Sequence, residues 1–130
     1  MSRILICDDE VKLSRMLVTA LRAAGHQATA VDNGSEALLG LKDERPDVLV
    51  TDLRLPDISG LDVLQQVRTR YPDVDVIMMT AYASTENAVE ALRRGAHDYL
   101  IKPFSLDEFR LRIDRLLARR ELQAEGRRLR

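Results

Sequence analysis

Short apolar runs alternate along this chain with longer stretches in which apolar residues recur every three or four positions. "RILIC" (3–7), "QATAV" (27–31), "DVLVTD" (47–52), "VDVIMMT" (74–80) and "YLI" (99–101) read as strands. Between them the period changes to 3.6. Val11 to Ala24 carries apolar residues at 13, 16, 17, 20, 21 and 24, and Gly25 supplies a stop signal. Ser35 to Glu44 aligns Ala37, Leu38 and Leu41, Leu61 to Arg70 aligns Leu61, Leu64 and Val67, and Thr85 to Arg94 is closed by Gly95. Ser105 with Glu108 three positions on has the capping-box spacing, so a last helix starts at Leu106 and runs to Arg120 or beyond. The stretch "LRLPDISG" (53–60) is a loop punctuated by Pro56 and Gly60.

Strand and helix thus alternate five times. That order implies an α/β fold, a (βα)5 doubly wound parallel sheet covered by helices on both faces, with right-handed crossovers. No repeat or internal linker interrupts it. The composition turns charged near 118–121, so residues 1–118 are expected to form one domain and 119–130 to start a helical linker.

Composition narrows the class. A chain of 130 residues, 45% apolar and 32% charged, suits one soluble domain. No apolar run approaches the ~18 residues that span a bilayer, and Arg3 precedes only four apolar residues, too few for a signal peptide. A single cysteine, Cys7, excludes an internal disulfide framework and reads as a small buried hydrophobe. The expected compartment is the cytoplasm. A net charge of −1 gives no strong field for nucleic acid. Residues 119–130 hold five arginines against Glu121 and Glu125, which reads as a solvated helix face.

In open α/β sheets, sites form where strands end at their carboxyl side. The first strand is followed there by Asp8, Asp9 and Glu10, the third ends in Asp52, the fourth runs into Thr80 and Ala81, and the fifth into Lys102 and Pro103. Crowded carboxylates are costly without a cation, and a few hard oxygen ligands suit Mg²⁺ with phosphate. A carboxylate can also act as a nucleophile toward phosphorus, with Mg²⁺ and a lysine neutralising the transferring oxygens. Thr80 offers a hydroxyl donor, and Ala81 leaves room for the incoming group. Glu10 reads as an acid at a helix N-terminus. Met78 and Met79 read as core, and His26 and His97 as incidental.

With these residues in this order, residues 3 to about 118 resemble the receiver domain of bacterial two-component response regulators. The motifs are Asp8-Asp9, Asp52 within "TDLRLPDISG", Thr80-Ala81 and Lys102-Pro103. The resemblance implies a flavodoxin-like sheet of order 2-1-3-4-5. It implies that Asp52 accepts a phosphoryl group from a sensor histidine kinase. Asp9, Asp52 and the backbone carbonyl of Arg54 would bind Mg²⁺ directly, with Asp8 acting through water. Lys102 would pair with the phosphate, Thr80 and Tyr99 would act as the switch, and the Lys102–Pro103 bond would be cis. Arg54 and Tyr82, two residues beyond Asp52 and Thr80, would flank the route of attacking water and slow self-dephosphorylation. The stretch "TAYASTENAVEALRRGAHDYLIKPFSLDEF" further resembles receivers of sigma-54-dependent transcription activators. There an ATPase domain and a DNA-binding domain follow; neither is present in this sequence, so DNA would be met only through an absent output domain. A homodimer would use the face of the fourth helix, fifth strand and fifth helix, or the extended last helix, where Leu111, Ala118, Leu122 and Leu129 have coiled-coil-like spacing. No membrane partner is expected.

Three other readings bear on the same residues. An aspartyl phosphatase would need Asp-x-Asp after the first strand, and here the acids are adjacent. A flavin- or nucleotide-binding module would need a Gly- or Ser/Thr-rich loop there, and the acids of "CDDEVKLS" would repel phosphate. Partner binding without phosphorylation would leave a complete site unused.

Overall fold

The computed structural model describes residues 1–128, and side chains through residue 126. Five strands and five helices alternate: β1 (Arg3–Cys7), α1 (Val11–Ala23), β2 (Gln27–Val31), α2 (Gly34–Glu44), β3 (Val48–Asp52), α3 (Gly60–Arg70), β4 (Asp75–Thr80), α4 (Thr85–Arg93), β5 (Asp98–Ile101) and α5 (Leu106–Arg128). The strands form one parallel sheet in the order β2-β1-β3-β4-β5. No helix among the described residues is long and apolar enough to cross a membrane.

The unbroken apolar runs of the central strands follow from this architecture, because side chains on both faces are buried. Leu5, Leu49, Val76 and Met78 point to one face, where residues of α2, α3 and α4 cover them. Ile4, Ile6, Val48, Val50, Ile77 and Met79 point to the other, under Leu17 and Leu21 of α1 and Phe109, Ile113 and Leu116 of α5. Each such fully buried side chain contributes about 1.5–3 kcal/mol over its exposed state, so the two layers together set the register of the strand ends.

The buried face of α1 is displaced from the one its periodicity predicts. Ser14, Leu17 and Leu21 are buried, while Met16 and Ala24 are exposed. A serine can take a core-facing position because its hydroxyl donates to the carbonyl of Asp8 (3.4 Å). Gly25 follows the helix at φ +92°, the left-handed conformation its lack of a side chain permits. At the start of α5, Ser105 Oγ accepts from Glu108 N at 3.0 Å, the expected cap.

Gly60 matters for another reason. A Cβ there would sit 2.2 Å from the carbonyl oxygen of Asp52, against backbone that cannot move aside. Gly60→Ala is therefore expected to lower the melting temperature more than any other Gly→Ala change outside the positive-φ turns. A thermal scan of it beside Gly126→Ala, whose Cβ meets nothing within 4 Å, checks this; equal melting temperatures would contradict the close approach.

Candidate functional site

The register brings the acids to one edge. Cys7 pairs with both Val31 and Thr51, Asp52 with Met79, and Thr80 with Ile101. The ladder continues one residue past the strands: Asp8 N donates to Val31 O (3.1 Å), Leu53 N to Met79 O (3.0 Å) and Lys102 N to Thr80 O (2.9 Å). The backbones that carry Asp8, Asp52, Thr80 and Lys102 are thus tied to the sheet. Lys102–Pro103 is a cis peptide bond.

Carboxylate oxygens of Asp8, Asp9 and Asp52 lie within 4.8 Å of one another. At an effective dielectric of ~20, two unit charges ~4 Å apart repel by about 4 kcal/mol, so the cluster needs positive charge. Lys102 supplies some of it. Its Nζ lies 2.6 Å from Asp8 Oδ2, 3.1 Å from Asp52 Oδ2 and 3.5 Å from Glu10 Oε2. Burial works against the ammonium, but the hydrogen bonds to Asp8 and Asp52 and their charges outweigh it and raise the Lys102 pKa. Burial also pushes the Asp52 carboxyl up; the Lys102 hydrogen bond opposes that, and the charge of Asp8 adds to it. Three acids and one lysine leave a net −2, and the ligand set is all oxygen. That fits a small hard dication such as Mg²⁺.

Two neighbours complete the picture. Thr80 is buried, and its Oγ1 accepts from Tyr82 N at 2.9 Å. Tyr99 packs against the layer around Leu5, and its buried hydroxyl has no hydrogen-bond partner among the described residues; desolvation raises its pKa. Above the acids, a cleft of about 450 Å³ is lined by Asp9, Glu10, Asp52, Ala81, Tyr82 and Lys102, among others. The Arg54 guanidinium stacks on the Tyr82 ring at 3.8 Å.

Two assignments, those of His97 and Arg120, differ from the sequence reading. Glu10 stands at the start of α1, as expected, as its N-cap residue; its side chain makes no capping bond and reaches toward Lys102. His97 has a partner: its Nδ1 lies 3.2 Å from Asp75 Oδ1. Arg120 is not a solvated charge, since it donates to Asp75 Oδ2 (2.6 Å), Asp73 O (2.8 Å) and Asp47 Oδ1 (3.4 Å), clasping α5 to the amino edge of the sheet. Asp57 accepts four hydrogen bonds, three of them from Gly34 and Ser35, which join its loop to α2. The side chains of Arg127 and Arg128, and all of Leu129 and Arg130, lie outside the described residues.

An acid cluster paired with one lysine stands at the carboxyl edge of a doubly wound, parallel five-stranded α/β domain. Residues 4–114 match the response regulator receiver domain family, and the chain belongs to it. It is 45% identical over 128 residues to the regulatory protein AtoC of Escherichia coli K12, covering 98% of this chain and 28% of that protein. It is 38% identical over 122 residues to the DNA-binding transcriptional regulator NtrC of Salmonella typhimurium, covering 94% of this chain and 26% of that one. The chain thus spans under a third of these two relatives. Among solved structures, NtrX from Brucella abortus superposes with a TM-score of 0.92 at 31% identity, over 99% of this chain and 29% of that one. A CheY-like receiver domain from Methanospirillum hungatei gives 0.91 at 29% identity, over 95% and 98%. The chain is therefore a two-component signalling domain, and receivers of this family bind Mg²⁺ at an acidic pocket and work with histidine kinases.

Proposed function

We propose that Asp52 accepts a phosphoryl group from a histidine kinase and that the resulting acyl phosphate switches the domain between two states. The observation that carries this is the Lys102 ammonium, 3.1 Å from Asp52 and 2.6 Å from Asp8. Asp52 sits on a sheet-fixed backbone beside the one cation of the cluster. In the transfer, an Asp52 carboxylate oxygen bonds to phosphorus as the phosphorus–nitrogen bond of phosphohistidine breaks. The electron pair leaves with the imidazole. Lys102 is placed to neutralise the phosphoryl oxygens.

Asp9, Asp52 and the Arg54 carbonyl are the candidate direct ligands of Mg²⁺, with Asp8 outside them. Both Asp8 oxygens already take donors: Glu10 N on Oδ1 (2.8 Å) and Lys102 Nζ on Oδ2 (2.6 Å). Asp9, by contrast, is exposed on the cleft. A bound dication would supply charge neutralisation for the acids and the incoming phosphoryl group. The Thr80 hydroxyl would then turn to the phosphoryl group and free the space that Tyr99 senses. The unpaired Tyr99 hydroxyl costs about 1–3 kcal/mol, which favours a side chain with a second place to go. The likeness to the DNA-binding transcriptional regulator NtrC supports control of transcription, with residues 119–130 as the start of a linker to an output module. Incubation with acetyl phosphate and Mg²⁺ should add one phosphoryl group to the intact mass, and addition without Mg²⁺ would contradict the reading.

Arg54 and Tyr82 would slow loss of the phosphoryl group by closing the cleft against water. An exposed cation–π pair is worth about 0.5–1 kcal/mol, which corresponds to roughly a two- to fivefold rate change. Arg54→Ala and Tyr82→Ala should each speed dephosphorylation by that factor, measured as decay of the phosphorylated mass after donor removal. Unchanged decay in both would remove the pair from the account.

A further inference from the structure

The loop between β3 and α3 carries Arg54. Its stem closes on itself, with Gly60 N donating to Leu53 O (2.8 Å) and an antiparallel bridge between Arg54 and Ser59. Its tip is fastened elsewhere. Asp57 Oδ1 accepts from Gly34 N (2.7 Å) and Ile58 N (2.9 Å), and Oδ2 accepts from Ser35 N (2.9 Å) and Ser35 Oγ (2.8 Å). Gly34 and Ser35 are the first residues of α2, where backbone N–H groups lack helical partners and the dipole is positive. These donors hold the Asp57 carboxyl well below the usual carboxylate range. Ile58 closes the joint, since a Cβ on Gly34 would lie 2.2 Å from Ile58 Cγ1.

Capping alone does not account for the clasp. Asn33 Oδ1 already caps α2, accepting from Glu36 N at 2.8 Å. Ala37 and Leu41 of α2 pack in the layer with Leu5 of β1, and β1 leads directly into Asp8 and Asp9. Asp57 therefore fastens the segment bearing Arg54 to the helix that rests on the strand bearing the other two acids.

We infer that Asp57 is a positioning residue for divalent-cation binding, holding the Arg54 side of the site in register with the Asp8–Asp9 side. The inference rests on the metal reading above. Asp57 touches neither ion nor phosphoryl group and acts through its loop.

The test is Mn²⁺ binding to the full chain, with free ion read by electron paramagnetic resonance and Mg²⁺ as competitor. Loss of a group that orients metal ligands costs about 10- to 100-fold in affinity, so Asp57→Ala should weaken Mn²⁺ binding by about tenfold or more. Asp57→Asn keeps one acceptor oxygen and should fall between it and wild type; it carries the test if Asp57→Ala does not fold. Asn33→Ala, which weakens the same helix start without touching the loop, should leave affinity within about twofold. An equal loss in Asn33→Ala, or wild-type affinity in the Asp57 variants, overturns the inference. Asp9→Asn separates the two layers. Binding that Asp9→Asn abolishes and the Asp57 variants spare overturns the inference alone, whereas wild-type protein that fails to bind, or binding indifferent to Asp9→Asn, overturns the metal reading and the inference together.

Discussion

Lys102→Met should lower the melting temperature of the metal-free protein by roughly 10–15 °C. Methionine keeps most of the side-chain volume and removes the charge, leaving Asp8 and Asp52 facing each other with no cation between them. Removing one partner of a buried ion pair costs about 3–5 kcal/mol. The cleft opens to water, so the low end applies, and a domain of this size loses about 3–5 °C per kcal/mol. The same argument fixes the response to metal. A ligand that binds only the folded state stabilises it according to its concentration over its dissociation constant. Millimolar Mg²⁺ should therefore raise the melting temperature of both proteins while leaving Lys102→Met the weaker acceptor of phosphate. Thermal scans with and without MgCl₂ check this. A variant as stable as wild type without metal would mean that the acids are not in electrostatic contention, and the account of the cluster would fail.

Much of this site is legible in the chain because strand ends in a parallel sheet share one edge. Asp8, Asp9, Asp52, Thr80 and Lys102 each stand where an apolar run stops, and the sheet brings those stops together. The alternation of unbroken apolar runs with 3.6-residue periods gives the element order for a related reason: burial on both faces of the sheet enforces the runs. What was not legible depends on contacts between elements far apart in sequence. The clasp of Arg120 on Asp75 and Asp47 joins residues 45 and 73 positions apart, and nothing local marks it. Asp57 lies in a loop whose composition says only "turn", and its role comes from the helix start opposite it. The buried face of α1 departs from its apolar period because periodicity counts apolar residues, whereas Ser14 is buried through a hydrogen bond. Glu10 is the helix-start acid its position predicts, and only the fold shows Lys102 beside it.

Asp52→Asn should abolish phosphoryl acceptance altogether, the largest effect expected of any single change. An amide oxygen is a poor nucleophile toward phosphorus. The neighbouring carboxylates do not substitute: both Asp8 oxygens already hold donors, and Asp9 stands exposed at the cleft without the Lys102 contact that Asp52 has. The variant should keep its fold, since asparagine is nearly isosteric and removes one charge from a cluster rich in them. Circular dichroism identical to wild type, with no phosphoryl gain, is the expected pair of results.

The most direct test of the central claim is to locate the phosphoryl group. Borohydride reduces an aspartyl phosphate to homoserine, so wild-type protein treated with acetyl phosphate and Mg²⁺, reduced and digested, should yield homoserine at position 52 alone. Homoserine at position 8 or 9, or a phosphoryl group on His26 or His97 that resists borohydride, would contradict the account.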